Sequence, residues 1–310
     1  MENDTAGDPI TGLKWTHKTM HKLADELARY GILVSAKTVG RLLKDLKFSL
    51  RLNRKTIESG IKNPPSRKDR DRQFHYISEM REAFANTGDP TISVDSKKRK
   101  LVGNFKNGGK AWKCESIPVK DHDFPSDAEG AAILYGIYDM QNNRGNIYVG
   151  DSHDTPAFAV RCIAQWWKTS GKKTWPNANR LLILADCGGS NSSRSRVWKY
   201  RLQNELCKPF GIPLTICHYP PGSSKWNPIE HRLFAEVSKN WAGEPLISYE
   251  KIMKYIRTTK TTTGLRVSAQ MIHKQYETGE KISDKEMQQI FVKQHDIFPN
   301  WNDTIELSKM

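Results

Sequence analysis

The spacing of hydrophobic residues along the chain is first helical, then strand-like, then helical again. Met20, Leu23, Leu27 and Tyr30 recur at three- and four-residue steps, which places them on one helical stripe. Thr16 is positioned to cap the start of that helix, with Trp15 and Met20 as the bracketing apolar pair, and Gly31 to end it. After the short turn Ile32-Leu33-Val34, Ser35 reads as a second N-cap, and Val39, Leu42, Leu43 and Leu46 as the apolar face of a second helix. Two short helices joined by a tight Gly-containing turn predict a helix-turn-helix unit over residues 1–56, with the polar first ten residues frayed. The stretch from about Ile57 to Pro65 carries Gly60, Asn63 and the pair Pro64-Pro65, so it reads as a linker. A polar helix follows, with Phe74, Ile77, Met80, Ala83 and Phe84 on one face, and is broken at Gly88-Asp89-Pro90. Linker and connecting helix together occupy 57–90.

From Thr91 the pattern turns to strands. Thr91–Val94 is short and β-branched; 131–138 and 146–149 read as a hairpin; 181–185 is a continuous apolar run; 213–217 is another strand. Helices are predicted over 156–167, 197–207 and from Asn227-Pro228 through Trp241. Strands followed by helices, with a parallel portion, predict an α/β domain of mixed sheet over 91–246. Beyond Leu246 the pattern reads as a polar, basic helical extension over 247–310.

Charge narrows the partner. Forty-nine basic against 34 acidic residues leave +15, an excess that suits a polyanion, since each neutralised phosphate releases condensed counterions. Residues 10–56 alone hold eleven Lys or Arg and three acids. Lys37, Thr38, Arg41 and Lys44 are expected on the outward face of the second helix, as a DNA-reading face or as an ordinary solvated one. No apolar run approaches the ~18 residues of a membrane span, and no leader is evident, so a cytoplasmic, nucleoid-associated protein is expected, with no membrane partner and no small-molecule substrate. The cysteines Cys114, Cys162, Cys187, Cys207 and Cys217 form no C-x-x-C pair, are widely spaced and odd in number, which argues against a zinc knuckle or disulfide framework and predicts buried reduced thiols.

Three carboxylates carry the candidate chemistry. Asp95 and Asp186 each follow a short apolar run, at the expected carboxyl end of a strand, where open α/β sheets present their ligand sites. An aspartate there also serves as a plain turn-former. Glu230 stands three residues after Asn227, with Pro228 suited to the first helical position. It either completes a capping box with Asn227 or is a carboxylate held at a helix start; the turned approach through Pro220, Pro221 and Gly222 favours the second. Two like charges about 4 Å apart repel by roughly 4 kcal/mol at an effective dielectric near 20, so one acid of such a group takes up a proton unless a cation joins it. Mg²⁺, which prefers oxygen ligands, resolves the conflict. Two such ions serve in-line displacement at phosphorus.

The segments VDSKKRKLVGNFKNGGKAW, LLILADCGGSN and CHYPPGSSKWNPIEHRLF, in that order, resemble the DDE transposases of bacterial insertion sequences, specifically the ISAzo-type family, over roughly Trp15 to Ile282. That family is distantly similar to the mariner-like group. The resemblance implies an RNase H-like catalytic fold, Mg²⁺ or Mn²⁺, and cut-and-rejoin chemistry at element ends, with the acids mapped onto Asp95, Asp186 and Glu230. It implies double-stranded DNA, both element ends and target, as partner, and a homo-oligomer on that DNA. The family carries more DNA-binding sequence than stands ahead of the helix-turn-helix here, which leaves a truncated copy, or a catalytically decayed repressor-like derivative, as the alternative.

Weaker candidates surround these. Lys97, Lys98, Arg99 and Lys100 are expected to track a DNA backbone or to form a solvated basic hairpin. Asp151, His153 and Asp154 make a rival acid cluster or a helix start. His218 and His231 flank the third acid. Among the tryptophans, Trp166, Trp167 and Trp241 suit the core, whereas Trp226, beside Lys225, is the best candidate to stack on a base.

Overall fold

The computed structural model describes residues 5–7, 14–16, 18–50 and 65–308. The chain divides into two units, Met1–Ser59 and Gly60–Met310. In the first, β1 (Thr5–Gly7) pairs antiparallel with β2 (Lys14–Thr16), and two helices follow, α1 (Met20–Arg29) and α2 (Ala36–Asp45). The expectation of a helix capped by Thr16 is therefore corrected, and of the first ten residues, expected to be frayed, 5–7 form a strand while the others lie outside the described residues. Residues 14–16 are drawn into a strand pair, and Thr19 caps α1 by accepting from Lys22 N. Ser35 caps α2 as expected, accepting from Thr38 N at 3.1 Å. Gly31, at φ +80°, turns the chain after α1. Of the two apolar stripes only Leu23 and Val39 are buried. The linker, up to residue 64, lies outside the described residues.

The second unit is built on an eight-stranded mixed sheet in the order β8-β5-β4-β3-β6-β7-β10-β9. Its centre is β3 (Thr91–Val102), antiparallel to β4 (Gly130–Asp139) and parallel to β6 (Leu181–Asp186). β5 (Arg144–Gly150) pairs antiparallel with β4, and β7 (Leu214–Tyr219) lies parallel to β6. The hairpin, the buried strand and the helices from Pro156 and Asn227-Pro228 stand where the pattern placed them. The expected α/β class, a mixed sheet flanked by helices, is the one observed.

Beyond Leu246 the expectation fails. A helix, Tyr249–Thr258, is followed by three strands that complete both edges of the sheet: β8 (Arg266–Ile272), β9 (Val292–Gln294) and β10 (Asn302–Ile305). β8 is polar at alternate positions because one face is solvated, and β9 and β10 are too short for a period to show.

Helical layers cover both faces. On one, α4 (Pro156–Trp166) and the helix from Arg196 pack on Ile92, Val94, Tyr135, Ile137 and Ile183. On the other, the 228–240 helix and Tyr249–Thr258 cover Leu134, Tyr138, Ile147 and Val149, while α3 (Arg67–Asn86) covers Leu182, Leu184, Cys217 and Tyr219. Trp166, Trp167 and Trp241 are core residues, as expected. Of the five free thiols Cys162, Cys207 and Cys217 are buried and Cys187 partly so, but Cys114 is exposed, a departure caused by its place in the long β3–β4 connection. Among the described residues no helix is long and apolar enough to cross a membrane.

Candidate active site

β3 does not stop at Val94. It runs on through Val102, so Asp95 lies within a central strand rather than at a strand tip, opposite Gly136 of β4. The residues after Asp95 lack apolar character, yet the neighbouring β4, buried along most of its length, supplies the ladder that holds them. Lys97–Lys100 therefore sit on the strand, with a shift of register between Lys97 and Lys100, and not in a loop. Asp186 does close its strand, beside Tyr219 of β7.

Glu230 opens a helical segment wound at i→i+5, Glu230–Phe234, within the helix that begins at Pro228. The competing capping box is not formed. Asn227 turns its side chain away from the helix: Oδ1 accepts from Ser93 Oγ at 2.5 Å, and Nδ2 donates to Asp186 Oδ1 at 3.1 Å and to Val94 O at 3.3 Å. The helix start lies close against the sheet because Gly136 has no side chain. A Cβ there would come within 2.5 Å of the Phe234 ring and 2.8 Å of Ile229 Cδ1. The loop before the helix is tied to α3, where Arg70 donates to Ser223 Oγ at 2.7 Å.

The three acids share an electrostatic field. Burial, then the negative charge of Asp186, and more weakly those of Glu230 and Asp154, push the Asp95 carboxyl up to about 8, against the Ser96 N–H that donates to its Oδ1 at 2.7 Å. Lys97 faces the same field. Burial lowers its pKa while Glu230 opposes the shift, and its ammonium stands over the Phe234 ring. Among the described residues no three His, Cys, Asp or Glu side chains stand close enough to enclose one ion. The acids are neighbours without forming one coordination shell. As a donor set they are oxygen only and in excess negative charge, which fits a hard divalent cation rather than a thiolate- or imidazole-seeking one.

Asp154 joins this group from the rival cluster. Its Oδ1 accepts from Ser96 Oγ at 2.9 Å, and Ser96 Oγ also lies 3.1 Å from Ser190 Oγ in the loop after Asp186. Thr155, not Asp154, caps α4. The rest of that cluster turns elsewhere: Asp151 meets His273, and His153 meets Tyr276 O. His218 is buried with both ring nitrogens facing carbonyl oxygens, of Asn191 and Trp301, so it braces the loop after Asp186. His231 contacts Lys225 O.

Lys98 and Arg99 are exposed, and with Lys100 and Lys106 they line a groove of about 310 Å³. Lys97 turns inward to Phe234, a different place from its three neighbours. Lys225 and Trp226 are exposed side by side. In the first unit Lys37, Arg41 and Lys44 are exposed along α2, while Thr38 is half-buried with Oγ1 3.0 Å from Ser35 Oγ. A second cleft, about 710 Å³, is lined by Arg81, Tyr138, Met140, Pro228, His231 and Arg232. Sequence patterning missed this cleft and Ser93. The one available signal for Ser93 was a hydroxyl in an otherwise apolar, fully buried strand start.

A family model described as Rhodopirellula transposase DDE domain matches residues 1–307. The chain belongs to that family. The resemblance seen in its three acid-bearing segments is thereby borne out. No curated protein matches this DDE-domain chain. Solved structures similar to it include the Mos1 transposase paired-end complex with left transposon end, at 16% identity and TM-score 0.45, and the Mos1 mariner paired end complex with Mn, at 14% and 0.43. Each likeness covers 77% of this chain, and the chain spans only 65% of the Mos1 chain it matches.

Proposed function

We propose that the chain is a metal-dependent DDE transposase that cuts DNA strands at insertion-sequence ends and joins them to target DNA, with Asp95, Asp186 and Glu230 as its acids. The observation that carries this reading is the meeting of β3, β6 and the 228–240 helix, which sets three carboxylates in one field. These residues would hold two Mg²⁺ or Mn²⁺ ions. Once bound, such ions neutralise charge at the scissile phosphate and favour ionisation of the attacking water or 3′-hydroxyl. The chain's own groups do the rest. Ser96 N–H orients Asp95, and Lys98, Arg99 and Lys100 with Lys106 bind phosphates along the groove. Lys225 and Trp226 take an exposed backbone and base, and Lys37, Thr38, Arg41 and Lys44 on α2 bind the element end. Double-stranded DNA in the cytoplasm is then the partner, and a homo-oligomer brings two ends together.

Nicking of supercoiled DNA bearing the element ends, with Mg²⁺, tests the proposal. Asp95→Asn, Asp186→Asn and Glu230→Gln each reduce nicking to background while mobility-shift binding persists, because the acids carry metal rather than fold. Near-normal nicking by any one of them removes that residue from the site. Binding without nicking by the unmodified chain, indifferent to Asp186→Asn, identifies a decayed repressor-like derivative instead.

A further inference from the structure

Ser93 and Asn227 are fully buried polar residues, and each bonds to elements far from it in sequence. Asn227 Nδ2 faces Asp186 Oδ1 and the Val94 carbonyl oxygen, and the second can only accept, which fixes the amide's orientation; its Oδ1 therefore receives the Ser93 hydroxyl. Ser93 Oγ in turn accepts from Ile229 N at 3.1 Å. Pro228 has no N–H, so Ile229 carries the first orphan donor of the helix. The residue that satisfies it lies 136 positions upstream, on β3. A helix start is ordinarily capped by the residue just before it. Here Ser93 caps across the fold, and that frees Asn227 to reach Asp186.

We propose that Ser93 and Asn227 are positioning residues that hold Asp186 and the Glu230 helix start in register with Asp95. Ser93 stands two residues before Asp95 on the same strand and Asn227 three before Glu230, so one four-bond network joins all three acid-bearing elements. The inference rests on the reading of those acids as the active site. Hydrogen-bond partners that orient metal-binding carboxylates change metal affinity by about 10- to 100-fold when removed.

The test measures Mn²⁺ binding to the full chain by titration calorimetry, Mg²⁺-dependent nicking and the thermal midpoint, for Ser93→Ala, Asn227→Ala, Asn227→Asp and Asp186→Asn. Expected are a loss of Mn²⁺ affinity of about tenfold or more for Ser93→Ala and Asn227→Ala, and partial rescue of nicking by raised Mn²⁺ in variants still folded at the assay temperature. Asn227→Asp keeps the acceptor for Ser93 but sets an oxygen against Asp186 and Val94 O. It lowers nicking at fixed Mg²⁺ at least as far as Asn227→Ala. Should Asp186→Asn abolish nicking while Ser93→Ala and both Asn227 variants bind Mn²⁺ and nick as the unmodified chain does, the network is only packing and the positioning role is overturned. Should Asp186→Asn itself nick normally, the site reading fails, and this inference with it.

Discussion

Two helices of this protein begin in opposite ways. α2 is capped from within, by Ser35 accepting the Thr38 N–H three residues on. The helix bearing Glu230 is capped from outside, by Ser93 of a different strand, while the residue in the usual capping place reaches Asp186. A local cap makes a helix that propensity alone supports. A cap borrowed from the sheet makes a helix whose first turn exists only where the sheet places it. Glu230 is held in the second way, so its position is set by the same strand that carries Asp95.

The contrast can be tested by disturbing long-range and local ties in turn. Asp89 sits in a turn that looks purely local, yet its buried carboxylate accepts from Asn179 N at 2.9 Å and Arg180 Nε at 2.8 Å, fixing the entry to β3 against β6. Burial alone would raise its pKa, but the bonds from Thr87, Arg180 and Asn179 outweigh it and hold the group below its ordinary value. Arg180→Ala should cost about 3 kcal/mol, the low end for a broken buried pair because the guanidinium is partly exposed. Since the folded pKa is depressed, that stability is present above about pH 4 and lost as pH falls through the folded value. Urea unfolding at pH 7 and pH 3 checks both; equal loss at the two pH values would refute the ionic part.

Gly136→Ala should cost about 2 kcal/mol by overpacking Phe234 and Ile229. It should also weaken nicking, since the Glu230 helix must lift from the sheet. A variant that is destabilised yet nicks normally would break the link between helix seating and chemistry.

Asp95→Asn should stabilise the metal-free protein. With its folded pKa near 8 against an ordinary 3.8, Asp95 keeps a proton that the unfolded chain releases, so stability falls as pH rises between those values. The variant's Tm should exceed that of the unmodified chain at pH 8, by about 2–4 °C for each kcal/mol recovered, and converge with it near pH 4. A lower Tm at pH 8 would contradict this.

Ser35→Ala is the smallest, about 1 kcal/mol, and confined to the first unit. Hydrogen exchange should quicken along α2 and stay unchanged in β3 and β6. Spread of the effect into the sheet would erase the distinction between the two helix starts.

Legibility in the sequence followed the same division. The 131–138 and 146–149 hairpin, the strand closing at Asp186 and the Ser35 cap depend on neighbours within a few residues, and each stands where patterning put it. Patterning places Asp95 at a strand tip, whereas it lies within β3, because Ser96–Lys100 are held by β4 rather than by their own apolarity. Asp154 reads along the chain as part of a rival acid cluster or a helix start, since nothing near it in sequence reveals Ser96 Oγ. The edge strands after Leu246 escape the pattern, which predicts helix there, because they are half-solvated or only a few residues long.

By itself, then, the chain's order of residues determined an α/β arrangement of strands and helices, a basic charge balance, and which three carboxylates were candidates. Period, charge and turn chemistry are local quantities, readable without a fold. Only the tertiary structure decided that Ser93 and Asn227 join those acids, that Gly136 lets the helix close on the sheet, and that Asp154 stands beside Asp95. Each depends on groups dozens of positions apart meeting within hydrogen-bond or van der Waals distance, and no spacing along the chain encodes such a meeting.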